Sequence, residues 1–65
     1  MRIICFTEEM QIYKSRGEYI ARDYKGYFEK RDVSFIKLIK YLRHTRKIDF
    51  ETFYIWHEKF YQGEI

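Results

Sequence analysis

The chain of 65 residues is 46% hydrophobic and 35% charged, carries a net charge of +3, and contains seven Tyr, six Phe, one Trp, one Cys and no Pro. That apolar content excludes a disordered chain, and Cys5 with only His44 and His57 beside it excludes an intramolecular disulfide and a four-ligand zinc site. A lone cysteine points to a reducing compartment, and Ile3-Ile4-Cys5-Phe6 is too short for a signal-peptide core or a membrane span, so a cytoplasmic protein with no membrane association is expected.

The length implies one domain over residues 1–65, of a size that holds little stability in reserve. Aromatic side chains, each burying about 150–250 Å², are the means by which so short a chain fills a core. Arg2–Phe6 is the only window that alternates with period two. A single strand finds no partner in a helical chain, so residues 1–6 are expected to extend or pack under the helices. Thr7 before Glu8 and Glu9 reads as an N-cap with two acids in the first turn, opening a short helix through Met10 and Tyr13. Ser15-Arg16-Gly17-Glu18 fits the S-x-x-E capping box, which breaks that helix near Lys14 and starts a second over Arg16–Tyr27. Ile20, Ala21, Tyr24, Tyr27 and Phe28 then share one side, with Tyr19 pointing away. The alternative is one unbroken helix from Thr7 to Phe28, because positions 10, 13, 17, 20, 24 and 27 also keep a helical period; Gly17 weighs against it. Asp32 is placed to cap a third helix, Val33 to Thr45, with Phe35, Leu38, Ile39 and Leu42 inward. Asp49 is placed to cap the last, with Ile48 and Phe53 positioned as a hydrophobic staple. Its inward face reads as Phe50, Phe53, Tyr54, His57, Phe60 and Tyr61, and Gly63 ends it. The expected fold is all-α, a bundle of four to five short helices.

From Gly17 onward, the residues Gly17, Ile20-Ala21, Asp23-Tyr24, Phe28 with Lys30, Phe35-Ile36, Tyr41-Leu42, Phe53, Trp56 and Tyr61 follow an order that resembles the small YozE-type proteins. The resemblance implies a fold similar to the sterile alpha motif (SAM) and no particular activity. SAM-like folds more widely serve as protein-binding or nucleic-acid-binding modules.

Charge is distributed unevenly. Residues 1–32 carry seven Lys/Arg and six Asp/Glu, residues 33–48 carry five and none, and residues 49–65 carry one and four, which gives +1, +5 and −3. At 100° per residue, Lys37, Lys40, Arg43, His44 and Lys47 occupy one face of the third helix, bordered by Ile36 and Tyr41. Cations near a helix C-terminus also complement its dipole, so the face reads either as a solvated helix end or as a binding surface. Tyr19, Ile55 and Trp56 fall outside or at the border of the apolar stripes, and Tyr, Trp and Arg dominate binding hot spots. His57 reads as a core or core-edge imidazole, His44 as solvent-facing and Cys5 as a small buried hydrophobe. Ser15 and Ser34 serve as caps, and Gly17, Gly26 and Gly63 lie too far apart to form a phosphate loop. The expectation is a non-enzymatic binding module without metal or cofactor, docking on a larger protein through Ile36, Lys37, Lys40, Tyr41, Arg43 and Lys47 with Tyr19 and Trp56. The alternative is nucleic-acid binding through the basic face of residues 37–47. The oligomeric state is expected to be a monomer or a weak homodimer.

Overall fold

The computed structural model describes residues 2–65 and is an α+β fold: four strands followed by two helices. The strands are β1 (Arg2–Phe6), β2 (Met10–Ser15), β3 (Glu18–Asp23) and β4 (Glu29–Asp32), and the helices are α1 (Phe35–His44) and α2 (Phe50–Tyr61). The strands form one antiparallel sheet in the order β1-β2-β3-β4. This overturns the all-α, SAM-like bundle of four to five helices. The helices expected at Thr7–Tyr13 and Arg16–Tyr27 are replaced by hairpins, and the segment expected to lack a strand partner is the first strand of the sheet.

The turns explain the difference. Arg16 and Gly17 both have positive φ, 52° and 81°, and join β2 to β3 as a two-residue hairpin turn whose twist matches that of the strands. Ser15 and Glu18, which resemble a capping box in sequence, are the cross-strand pair that closes this hairpin. Thr7 does use its hydroxyl as a cap would, accepting from the amides of Glu9 and Met10 at 3.1 and 3.2 Å. Its own amide donates to the Met10 carbonyl at 2.8 Å, however, and the turn leads into β2 instead of a helix.

Register sorts the side chains. Ile12 pairs with Ala21, and Cys5 pairs with Ile12, so these three line the sheet face that packs on the helices together with Met10. The register shifts between Ile3 and Cys5, a bulge that turns Cys5 inward while Ile3 stays opposite Tyr13 on the other face. Tyr13 and Ile20, also paired, are buried on that outer face. Charged side chains roof them: Arg22 lies 5.7 Å over the Tyr13 ring and bonds Glu29 at 2.9 Å, and Glu29 bonds Arg31 at 3.0 Å. Those two arginines hold the Glu29 carboxyl below the usual carboxylate range.

Helix α1 starts at Ser34, which accepts from the Lys37 amide at 3.2 Å, while Asp32, expected as the cap, lies two residues earlier and accepts from the Ser34 amide at 2.8 Å. Phe35, Leu38, Ile39 and Leu42 form its buried face, as their spacing implies. A Schellman motif ends α1, with the Lys47 amide donating to the Leu42 carbonyl at 2.8 Å and Arg46 at φ 60°. Asp49 caps α2 by accepting from the Thr52 amide at 2.7 Å, and Gly63, φ 76°, ends it in the same way as Arg46 ends α1. α2 is turned relative to its expected orientation. Trp56 is its buried residue, with Phe53 and Phe60 packed partly against the core. Phe50, Tyr54 and Tyr61, expected inward, are 65%, 56% and 68% exposed.

Trp56→Ala should therefore cost about 3–5 kcal/mol, whereas Tyr54→Ala at low micromolar protein should stay within about 0.5 kcal/mol of the parent in chemical denaturation. Equal losses would place Tyr54 in the core. Arg46→Gly should stabilise by up to about 1 kcal/mol, because glycine adopts the left-handed region without the steric penalty of a Cβ, and thermal melting reads this directly as a higher Tm.

Candidate functional site

The surface with the most chemistry is assembled from β3–β4, α1 and the turn after α1. Tyr41, on the exposed flank of α1, stacks on Phe28 with ring centroids 6.5 Å apart and planes 10° from parallel. Phe28 is held by the β3–β4 loop, in which the Asp23 carboxylate accepts from the Phe28 amide at 3.1 Å. Two ammonium groups cover the pair: Lys30 Nζ lies 4.7 Å from the Tyr41 centroid and Lys47 Nζ 4.8 Å from the Phe28 centroid. The Schellman turn positions Lys47, and the inward register of β4 positions Lys30 opposite Ala21. Lys37, Lys40 and His44 are exposed on α1, and the two lysines add positive charge without a packing role.

Not every residue singled out in the sequence joins this surface. Ile36 packs partly against the core, and Arg43 is half-buried and near Asp49, whose carboxyl it helps to hold below the usual range after the larger effect of the Thr52 hydrogen bonds. Tyr19 meets Phe35 edge-on at 5.4 Å with Lys14 5.2 Å from its ring, and Trp56 is core. Phe28 and Lys30 were not among the expected contacts. The signal for Lys30 is the charged run Glu29-Lys30-Arg31-Asp32, whose alternate members point to opposite faces once it is read as a strand.

Two clefts lie beside Lys47, and the smaller reaches Phe28. One of about 360 Å³ lies between the β1–β2 and β3–β4 loops, lined by Glu8, Glu9, Tyr24, Lys25, Phe28 and Lys47 among others. Tyr24 braces it by donating its hydroxyl to the Thr7 carbonyl at 3.1 Å. The other, an open cleft of about 730 Å³, sets Glu8 and Glu9 against Arg43, Arg46 and Lys47. Acids and bases face each other across both, which suits a polar, two-signed ligand surface.

The nucleophile and imidazole candidates sit elsewhere. His57 is half-buried on α2 between Phe53 and Tyr61, at centroid distances of 5.6 and 4.7 Å. Among the described residues, no three His, Cys, Asp or Glu side chains gather as a metal site, and no helix is long and apolar enough to cross a membrane. Cys5 is buried, and loss of solvation pushes its thiol up from 9.0 to about 12. Because the folded state keeps that proton longer than the unfolded chain, folding stability should fall as pH rises from 9.0 toward about 12. Correspondingly, Cys5 should react with a thiol reagent at pH 8 orders of magnitude more slowly than in denaturant, and equal rates would contradict its burial. Comparison with family models, curated proteins and solved structures found no match to this chain.

Proposed function

We propose that the protein is a non-enzymatic binding module that docks on an acidic surface of a larger protein. The observation that carries this reading is the Phe28–Tyr41 stack framed by Lys30 and Lys47. Rings fixed by stacking lose little entropy when a partner covers them, and tyrosine is among the residues that dominate interface energetics. Lys37 and Lys40, exposed on the helix that carries Tyr41, steer an acidic partner and set its orientation. Lys47 extends the same charge toward the α1–α2 turn.

A second reading is favoured by the same near-parallel pair: aromatic faces flanked by ammonium groups also accept bases and phosphates of single-stranded nucleic acid. Glu8 and Glu9 in the adjoining clefts oppose a phosphate backbone, which places protein first.

The test is affinity capture from native lysate with and without nuclease, followed by titration of the identified partner. Capture is expected to survive nuclease. Tyr41→Ala should weaken binding by about 2 kcal/mol, roughly thirtyfold, and Lys37→Glu with Lys40→Glu should slow association most at low salt. Unchanged affinity in both folded variants would remove this surface. Capture abolished by nuclease, with salt-dependent binding of an oligonucleotide, would establish the second reading in its place.

A further inference from the structure

Helix α2 exposes a second surface, independent of the first and different in kind. Phe50, Tyr54, His57 and Tyr61 are spaced 4-3-4, the a/d spacing of a coiled-coil seam, and they run along one flank of the helix, with Phe50, Tyr54 and Tyr61 exposed and His57 half-buried. His57 and Tyr61 neighbour each other along it with centroids 4.7 Å apart, and Phe53, which packs partly against the core, backs it at 6.4 Å from Phe50 and 5.6 Å from His57. Such a stripe is what a helix presents to another helix.

We infer that a second copy of this chain covers it, in an antiparallel α2–α2 homodimer. Three properties point to a copy of the same chain. A 4-3-4 spacing reads the same in both directions, so a two-fold axis between Tyr54 and His57 sets Phe50 beside Tyr61 of the second copy and Tyr54 beside its His57. In an antiparallel pair these a-to-d layers are the ones that meet. The area is also sufficient for a weak dimer. With Phe50, Tyr54 and Tyr61 exposed by 65%, 56% and 68%, and aromatic residues burying about 150–250 Å² each, these three and their neighbours can bury about 500 Å² per copy. Doubled, that reaches the roughly 1,000 Å² at which specific interfaces begin. Finally, the stripe contains no Lys or Arg to keep a second aromatic surface away.

Glu51 and Glu58 flank the stripe on one side, and the two-fold brings them toward the same pair of the second copy. Their repulsion sets a distinctive signature. Screening by salt should strengthen this association, whereas it should weaken docking at the basic surface of α1.

Sedimentation of the unmodified chain from low micromolar to near-millimolar concentration should show the mass rise from 8.3 kDa toward twice that value, and more readily at high salt. Tyr54→Glu should weaken the dimer by about tenfold or more. The double variant Phe50→Cys with Tyr61→Cys should oxidise to a closed covalent dimer, because the two positions lie about 16 Å apart within one helix and cannot bridge there. Phe50→Cys alone should not cross-link to itself. A mass that stays at 8.3 kDa across the series would overturn the inference, and so would a dimer indifferent to Tyr54→Glu. A ladder of cross-linked oligomers would replace the two-fold with a head-to-tail contact and overturn it equally. Should Tyr54→Glu fail to fold, the concentration series and the cysteine pair still decide.

Discussion

The buried stripe of helix α1 packs against both the sheet and the other helix, and the rest of the molecule follows from that contact. Phe35, Leu38, Ile39 and Leu42 are essentially inaccessible to solvent, and they bring Ile12 and Ala21 of the sheet and Trp56 of α2 into a single cluster. A sheet this small needs apolar cover on one face to be stable, and α1 supplies it. α2 in turn covers α1 through Trp56 and Phe60, the latter stacked on Phe35 at 5.1 Å.

Within the described residues, α1 buries one stripe and leaves its opposite side, with Lys37, Lys40 and His44, to solvent, while the sheet and α2 each turn a second face outward. The two outer faces solve this differently. On the sheet, Arg22, Glu29 and Arg31 fold over Tyr13 and Ile20, so the apolar residues there are hidden by their own charged neighbours. On α2 the acids lie to one side of the rings and leave Phe50, Tyr54 and Tyr61 open. The basic and aromatic surface arises where α1 emerges at the flank of this arrangement, with Tyr41 meeting the loop that carries Phe28. Core, basic surface and aromatic stripe are therefore consequences of one packing order.

The helical half of this order is legible in the sequence and the β half is not, for definite reasons. The stripe Phe35, Leu38, Ile39, Leu42 has no competing pattern on the polar face of α1, so the period of 3.6 identifies it. In β2 and β3 apolar residues lie on both faces, Ile12 with Ala21 inward and Tyr13 with Ile20 outward. Alternation is thereby hidden, and the same positions accommodate a helical period. Arg16-Gly17 decides between the two, because a pair of positive φ values makes a hairpin and no helix contains one. Lys30 and Phe28 escaped notice with the strands that place them. In α2 the larger aromatic stripe outweighs Trp56 in any count of apolar residues. Trp56 enters the core beside α1 all the same, with Phe60 stacked on Phe35.

Which side of α2 faces inward is the claim on which the core and the aromatic stripe both depend, and the chain's single tryptophan reports on it. Fluorescence of Trp56 in dilute solution, with acrylamide as quencher, measures the burial of that side directly. Blue-shifted emission with strong protection from the quencher is the predicted result. Red-shifted, freely quenched emission from a chain that otherwise shows native circular dichroism would contradict the account, because it would turn Phe50, Tyr54 and Tyr61 back into the core.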